Sequence, residues 1–335
     1  MKRYHVYGLG AALVDTEIEV SDHDLSAMGV EKGLMTLVDE QRQQQLLDHL
    51  HGHLVHSRRA CGGSAANSII GVSRFGGRAF YSCRVAADDN GRFYREDMRV
   101  AGVDCPPRAE GDDAAGITGK CLVLITPDAE RTMNTFLGAS AGLCSADLDA
   151  QALADSEYLY LEGYLVTSPD GRAAAIAARE LAERSGVKTA LSFSDPGIVA
   201  HFRDGLGEML GSRIDLLFCN SHEAMSWAQT DNLETALQSL KRIANTFAVT
   251  LGADGALVYD GAQTHAIAPF SVKAVDTNGA GDMFAGAFLY GITRGLDFPT
   301  AGKLASLASA TVVANYGPRL TQQQQRDLLA QLGLN

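Results

Sequence analysis

The sequence predicts an α/β fold, with a mostly parallel sheet between two layers of helices and a small β-sheet lid attached. Three observations lead to this prediction. The chain has 335 residues, of which 46% are hydrophobic and 20% charged, so it can bury a full core. From Glu157 onward, strand-like and helix-like segments alternate regularly, which is typical of a parallel sheet covered on both faces. A pair of β-prone runs interrupts this alternation earlier in the chain.

The first half of the chain contains segments of both kinds. Strands are predicted over 4–14, 17–20, 34–38 and 78–83, and helices over 41–50, 64–75 and 91–100. The interrupting pair covers 117–126 and 131–137, and the turn residues Pro127-Asp128-Ala129-Glu130 between them predict a β-hairpin. We expect this hairpin to pair with the early β-prone stretches. The lid then comes from about residues 14–38 and 112–138, inserted into a single α/β domain that spans 1–335.

The second half has the regular alternation. Strands are predicted over 158–161, 188–193, 214–219 and 247–251, and helices over 172–184, 233–241, 279–294 and 300–315. The runs 256–259 and 264–267 flank Asp260-Gly261, which predicts a hairpin at a sheet edge. Ligands of open α/β sheets bind beyond the carboxyl ends of the strands. The motifs of interest should therefore lie in loops that follow strands.

Charge and composition restrict the class of partner. Lys+Arg is 28 and Asp+Glu is 40, a net charge of −12, which argues against nucleic acid and against an anionic membrane surface. The sequence lacks a signal-peptide pattern, and its six cysteines lack C-x-x-C spacing, so we expect a cytoplasmic protein with reduced thiols. Leu13 replaces the third glycine of a dinucleotide fingerprint that begins at Gly8, which argues against an oxidoreductase.

The clearest motif is Asp276-Thr-Asn-Gly-Ala-Gly-Asp282, which leads into an apolar helical segment. A glycine-rich turn at a helix start exposes backbone N–H groups and the positive end of the helix dipole, which together bind anions. A carboxylate at Asp282 repels a simple anion but suits a base that takes a proton from an attacking hydroxyl. The alternative is that Asp276 is a turn residue and Asp282 only complements the helix dipole.

A second motif, Gly62-Gly63-Ser-Ala-Ala-Asn67, also enters a predicted helix. Gly63 lets a ligand approach the backbone, and Asn67 can both donate to and accept from a polyol. The alternative is a tight loop before a small-residue helix that packs on the sheet.

Together and in this order, the two motifs resemble those of the PfkB/ribokinase family of carbohydrate and nucleoside kinases. The stretches 59–64, 131–136 and 316–320 are most similar to the bacterial adenosine kinase-like members. The resemblance implies a ribokinase-like fold and ATP-dependent phosphorylation of a primary hydroxyl, with adenosine to AMP as the first expectation. A sugar kinase of the fructokinase or ribokinase type is the alternative, and a non-catalytic nucleotide or metabolite sensor is the more distant one.

The resemblance also implies roles for individual residues. Asp282 matches the catalytic base, and the anion hole matches Asn278, Gly279, Ala280 and Gly281. Acceptor binding is expected at Asp15, Gly62, Gly63, Asn67, Phe136 and Glu162. ATP binding is expected at Asn220, Thr250, Gly252 and Gly255, with Mg²⁺ held through water by Asn220 and Glu223. Some family members bind a monovalent cation near the anion-hole loop, which makes Asp276 a candidate K⁺ ligand.

Three of these assignments have structural alternatives. Asn220 and Glu223 can form an N-terminal helix cap, which does not exclude a Mg²⁺ site. Glu162 can be a buried acid satisfied by backbone groups, and Phe136 can belong to the core of the lid. The lid also suggests a homodimer, because family lids pair between subunits and an exposed lid face would be an apolar patch.

Overall fold

Two β-sheets form the framework of the chain in a computed structural model that describes residues 2–107 and 115–334, with the backbone alone for 56–58. Residues 112–114 of the predicted lid lie outside the described residues. The strands are β1 (Tyr4–Leu9), β2 (Leu13–Glu19), β3 (Met35–Leu37), β4 (Val55–Gly62), β5 (Ala79–Ser82), β6 (Val103–Asp104), β7 (Thr118–Ile125), β8 (Arg131–Gly138), β9 (Ser156–Glu162), β10 (Lys188–Ser192), β11 (Ile214–Asn220), β12 (Ala244–Thr250), β13 (Ala256–Tyr259) and β14 (Thr264–Ile267).

Helices cover both sheets. The α-helices are α1 (Asp22–Met28), α2 (Glu40–His49), α3 (Ser64–Arg74), α4 (Asp89–Val100), α5 (Ala150–Ala154), α6 (Pro169–Arg184), α7 (Pro196–His201), α8 (Arg203–Leu210), α9 (Ser221–Ala228), α10 (Leu233–Ile243), α11 (Ala280–Thr293), α12 (Phe298–Val313) and α13 (Gln322–Gln331). Short 3-10 helices cover Ala139–Gly142, Ser145–Asp147, Gly163–Thr167 and Gly252–Asp254. Among the described residues, no helix is long and apolar enough to cross a membrane.

The large sheet has the strand order β14-β13-β12-β11-β10-β9-β1-β5-β6. Its strands run parallel except for the hairpin β13–β14 at one edge. One face packs on α3, α4, α11, α12 and α13, and the other on α5 to α10, in two separate apolar cores. The three-layer ribokinase-like α/β/α arrangement predicted from the sequence, including the edge hairpin, is therefore confirmed.

The small sheet has the order β3-β8-β7-β2-β4. The β7–β8 hairpin and β3 lie where the sequence predicts them, but the predicted strand 4–14 is two strands. β1 ends at Leu9 in the large sheet and β2 begins at Leu13 in the small one. Neither β4 nor α1 is predicted by the sequence pattern. β4 is rich in polar residues and lies at the sheet edge, and α1 has only seven residues, although the Ser21–Asp24 capping box is a signal for its start.

Helices α1 and α2 cover the outer face of the small sheet. Leu25 and Leu46 from these helices pack on Ile18, Leu122 and Leu124 of the sheet. One of the two sequence arguments for a homodimer was an exposed apolar lid face, and on this side the same chain covers that face. Dimerisation through the lid stays a prediction and receives no support from this surface.

Helices α3 and α11 cross at very short range, which brings the two sequence motifs together. A Cβ atom on Gly286 of α11 would overlap the carbonyl oxygen of Ser68 in α3. Only glycine permits this approach of the two backbones. The start of α3 therefore lies beside the start of α11.

Candidate active site

The side chain of Asp282 lies in the first turn of α11 and faces the start of α3. Its Oδ1 accepts a hydrogen bond from Ser64 Oγ at 2.6 Å, and its Oδ2 accepts one from Asn67 Nδ2 at 3.0 Å. Burial raises the pKa of Asp282, whereas these two hydrogen bonds and the charge of Arg131 act to lower it. The tertiary structure thus joins the two sequence motifs through a buried carboxylate.

The loop before Asp282 is held in a fixed conformation. Gly279 has φ of 71°, and a Cβ atom there would overlap Pro318, so this position requires glycine. A Cβ atom on Gly281, by contrast, would meet no described atom within 4 Å. The carboxylate of Asp276 accepts hydrogen bonds from the N–H groups of Asn278 at 2.8 Å and Gly317 at 2.9 Å. With the first amides of α11, residues 278–281 form a candidate anion hole that borders open space.

Asp15 lies at the start of the small sheet and is only 5% exposed. Its Oδ1 is buried and accepts no hydrogen bond from the described residues. Burial raises the pKa of Asp15 well above its usual value, the neighbouring Glu17 adds to this, and Arg319 opposes it. A buried acceptor without a partner is rare in proteins, so this oxygen suits a hydroxyl group of a ligand.

The glycine pair beside Asp15 is required by close contacts. A Cβ atom on Gly62 would overlap the Asp15 carboxylate, and one on Gly63 would overlap the carbonyl oxygen of Ala11. Gly63 also has φ of 100°, a conformation that side chains strongly disfavour. The structure thus brings Asp15, Gly62, Gly63, Asn67 and Asp282 into one region.

Glu162, at the end of β9, is 1% exposed, and both of its oxygens accept backbone hydrogen bonds. Oε1 accepts from Ala11 N–H and Oε2 from Ala65 N–H, each at 2.7 Å. Burial raises the pKa of Glu162 to about 7, against the effect of these two bonds. Glu162 therefore holds the backbone at Ala11 to the backbone at Ala65. This is the alternative expected from the sequence, a buried acid satisfied by backbone groups.

Phe136 lies on the other side of the lid sheet from Asp15. It pairs directly with Lys120, whereas Asp15 pairs with Cys121, and neighbouring residues of a strand point to opposite faces. Phe136 instead lines an open, mostly apolar pocket of about 630 Å³ together with Leu37 and Leu137, and Asp39 and Glu40 also line it. That lining does not include Asp15, Asn67 or Asp282. The structure does not bring Phe136 together with the predicted acceptor residues.

The residues predicted to bind ATP follow neighbouring strands. Asn220 at the end of β11 pairs with Thr250 at the end of β12. Gly252 has open space around it, whereas a Cβ atom on Gly255 would overlap the carbonyl oxygen of Ile267. These residues therefore lie at the carboxyl ends of β11 and β12 in the large sheet. The turn into β13 requires glycine at Gly255.

Asn220 and Glu223 form the helix cap considered from the sequence. Asn220 Oδ1 accepts from Glu223 N–H at 2.8 Å, and Glu223 accepts from Asn220 N–H at 2.9 Å and from Asn220 Nδ2 at 2.8 Å. Burial raises the pKa of Glu223 to about 7, and the nearby Asp195 adds to this. Two buried carboxylates that repel each other favour a cation nearby.

The donor set fits a hydrated Mg²⁺ ion. Among the described residues, no group of three or more His, Cys, Asp or Glu side chains is arranged to hold a metal. Mg²⁺ in nucleotide sites normally uses one or two carboxylates together with water and substrate phosphates. Glu223, oriented by Asn220, supplies such a carboxylate just after the carboxyl end of β11.

Arg131 and Asp195 are site residues without an assignment from the sequence. Burial acts to lower the pKa of Arg131, but electrostatic interactions with Tyr164, Asp282 and Asp195 oppose this, and the net pKa is raised. Arg131 also acts on Glu223. The sequence signals for these two residues are the resemblance over 131–136, the turn before Arg131 and the Asp195-Pro196 helix start. A cation of the lid thus interacts electrostatically with Asp282, Asp195 and Glu223.

The fold and this site define the class of the protein. A buried carboxylate at a helix start, free amides beside it and a second buried carboxylate with an unpaired oxygen suit a kinase that phosphorylates an alcohol group of a small molecule. The profile of the pfkB family carbohydrate kinases matches residues 34–325, and the chain belongs to this family. Kinases of this family use ATP and typically Mg²⁺.

Solved structures and sequences of relatives agree with this. A probable sugar kinase from Rhizobium etli superposes with a TM-score of 0.93 and 34% identity over 100% of both chains. The adenosine kinase of Sinorhizobium meliloti gives a TM-score of 0.90 and 33% identity over 97% of this chain and 99% of its own. The adenosine kinase of Saccharomyces cerevisiae is 28% identical and aligns over 92% of this chain and 95% of its own length.

Proposed function

We propose that the protein transfers the γ-phosphoryl group of ATP to a primary hydroxyl of a nucleoside, with adenosine as the first substrate and AMP as the product. The observation that carries this proposal is the contact between Asp282 and Asn67, because it joins a buried carboxylate to the acceptor loop, residues 62–67. The bacterial neighbour named adenosine kinase, at 33% identity, supports the nucleoside.

The chemistry follows from the positions of the side chains. The acceptor hydroxyl replaces Ser64 or Asn67 as the donor to Asp282, and Asp282 takes its proton as the hydroxyl oxygen attacks the γ-phosphorus. The bond from the γ-phosphorus to the bridging oxygen breaks, which releases ADP. Amides of residues 279–281 and the guanidinium of Arg131 stabilise the transferring group. Glu223, oriented by Asn220, would hold a hydrated Mg²⁺ ion that would neutralise phosphate charge.

Asp15 is proposed to orient the acceptor. Its unpaired Oδ1 accepts from a sugar hydroxyl, and Gly62 and Gly63 let that ring lie against the backbone. These contacts suit the ribose of a nucleoside. When the lid closes over this region it excludes water, which limits ATP hydrolysis.

A sugar acceptor is the second candidate, and the probable sugar kinase from Rhizobium etli favours it. Glu162 does not add a partner for sugar hydroxyls, because its two oxygens already accept hydrogen bonds from Ala11 and Ala65. A sensor role is disfavoured because the chain keeps Asp282, the anion-hole loop and Glu223. K⁺ activation stays a prediction: the Asp276 carboxylate already binds two amides, so the ligands would be mainly backbone carbonyls.

The test is an ADP-release assay with Mg-ATP and a panel of adenosine, other nucleosides, D-ribose and D-fructose, each with and without K⁺. Selective turnover of adenosine supports the proposal. Selective turnover of a sugar keeps the mechanism and replaces the substrate. ATP binding without turnover across the panel contradicts the kinase proposal and favours the sensor.

A further inference from the structure

Three consecutive residues after α12 connect the two halves of the site. Gly317 donates its N–H to Asp276, and Pro318 packs against Gly279 of the anion-hole loop. The next residue, Arg319, turns towards the acceptor loop instead. Its side chain is only 12% exposed. In the sequence, this stretch contributes to the family resemblance over 316–320, but no role is predicted for Arg319.

The guanidinium of Arg319 makes three hydrogen bonds. Nε donates to Asn67 Oδ1 at 3.3 Å, Nη1 donates to Asp97 Oδ2 at 2.7 Å, and Nη2 donates to the carbonyl oxygen of Cys61. Cys61 directly precedes the glycine pair, and Asp97 lies on α4. One side chain therefore fixes the backbone before Gly62 and the side chain of Asn67 together.

The orientation of the Asn67 amide matters for the reaction. A side-chain amide has one oxygen that accepts and one NH₂ that donates, and a half-turn exchanges them. Arg319 can only donate, so it requires Oδ1 on its own side. This leaves Nδ2 directed at Asp282. The flipped amide would place its oxygen against the Asp282 carboxylate and its NH₂ against the guanidinium, so Arg319 and Asp282 together select one orientation.

We infer that Arg319 is a positioning residue for the acceptor, which fixes the Asn67 amide and the Cys61–Gly62 backbone and so links the acceptor loop to the anion-hole loop. This inference rests on the proposed function. Arg319 is placed to act on acceptor binding rather than on ATP, because its contacts are with the acceptor loop and α4. Its charge also faces Asp15.

The test compares steady-state kinetics of Arg319→Gln and Arg319→Lys with the wild type, with the acceptor that the wild type phosphorylates from the panel of adenosine, D-ribose and D-fructose. Arg319→Gln should raise the acceptor KM at least about 10-fold, the effect of a lost hydrogen bond from a charged donor, with the ATP KM changed less than about 3-fold. Arg319→Lys should restore part of the difference, since it keeps the charge near Asp97.

Arg74→Gln is the matched control. Arg74 is also partly buried and donates to the carbonyl oxygen of Leu320 at 2.8 Å, beside Arg319. A merely structural role for Arg319 predicts that both variants lose thermal stability and active fraction without a change in acceptor KM, and that result overturns the inference. If Arg319→Gln does not fold, Asp97→Asn carries the test, and an unchanged acceptor KM in it overturns the inference equally. A wild type that phosphorylates no acceptor overturns the proposed function, and this inference with it.

Discussion

The carbonyl oxygen of Ala129 accepts two hydrogen bonds from Thr277, from its N–H at 3.3 Å and its Oγ1 at 2.9 Å. Ala129 lies at the tip of the lid hairpin and has φ of 65°, a left-handed conformation that is unusual for alanine. Thr277 is the second residue of the motif Asp276–Asp282, which contains the candidate anion hole. A second hydrogen bond between the lid and this loop runs from Asn278 Nδ2 to Glu17 Oε1 of β2, at 3.2 Å. The lid is therefore docked on the loop that is proposed to bind phosphate.

Thr277→Val removes the hydroxyl donor to Ala129 and should loosen the docking of the lid. Loss of one hydrogen bond of about 1 kcal/mol predicts about 5-fold faster hydrogen exchange of the β7–β8 amides, measured by mass spectrometry. The matched control is Thr293→Val, whose hydroxyl bonds only to carbonyl oxygens within its own helix. Equal exchange in the hairpin for both variants would contradict the prediction.

Asp282→Asn should lower kcat at least about 10²-fold, since general-base catalysis contributes that much or more. Binding of ATP and acceptor, measured by calorimetry, should be largely kept because asparagine has nearly the same shape. A variant with near-normal kcat would show that Asp282 is not the base.

The pH profile gives a second test of Asp282. Its pKa is raised, and a base must be ionised, so kcat/KM should fall with acid at a pH above the usual range of an aspartate. Ser64→Ala removes a hydrogen bond that lowers this pKa, so the acid limb should move to higher pH. A limb that stays in place, or moves to lower pH, speaks against the assignment.

Two glycine variants separate folding from phosphate binding. Gly281→Ala has room for its methyl group and replaces glycine in a helix, so the variant should be as stable as the wild type or up to about 1 kcal/mol more stable. Its kcat should fall about 10²-fold, as for a damaged oxyanion hole. Gly279→Ala should be destabilised by more than about 1 kcal/mol, because of its positive φ and the overlap with Pro318. Urea unfolding and the ADP assay decide between these outcomes.

Glu223→Gln separates the helix cap from the Mg²⁺ site. Glutamine at this position also completes a capping box, so the melting temperature should change little. Loss of the carboxylate should raise the Mg²⁺ concentration needed for half-maximal activity about 10-fold or more, measured by titration at fixed ATP. An unchanged Mg²⁺ requirement would leave Glu223 as a cap alone.

Glu162 should make stability depend on pH. Its folded pKa of about 7 lies above the usual 4.5, so the folded state holds the proton more tightly and loses stability as pH rises from about 4.5 to 7. The loss is on the order of 3 kcal/mol, because the pKa values differ by about 2.5 and each tenfold change in proton affinity is about 1.4 kcal/mol. Urea unfolding at both pH values should give a smaller difference for Glu162→Gln than for the wild type. Glu234→Gln, on the exposed face of α10, should leave it unchanged.

The sequence predicted the large sheet well because its strands are apolar runs between amphipathic helices, and this alternation admits few topologies. The lid was harder to predict. In the sequence, β1 and β2 form one continuous β-prone run. The break between them lies at Gly10, where Glu162 and Tyr81 occupy the space that a Cβ atom would need. β4 lacks a hydrophobic pattern altogether.

The side chains of the lid show why a correct strand does not determine a site. The strand over 131–137 was predicted, but one face of the lid sheet packs on α1 and α2 and the other carries the apolar residues Leu13 and Val123. Since both faces are apolar, the pattern does not indicate which one meets the ligand, and a shift by one residue exchanges them. Phe136 therefore faces away from Asp15, and Arg131 faces the carboxylates.

By itself, the sequence determined the fold class, the family and the two glycine-containing loops, because loops that bind anions and polyols need glycines and a carboxylate at fixed local spacing. Only the tertiary structure decided which distant groups meet in the site. It assigned Glu162 to the amides of Ala11 and Ala65, and it brought Arg319 to Asn67. Such contacts join residues far apart in the chain, and their partners depend on strand register and helix packing, which local sequence does not encode.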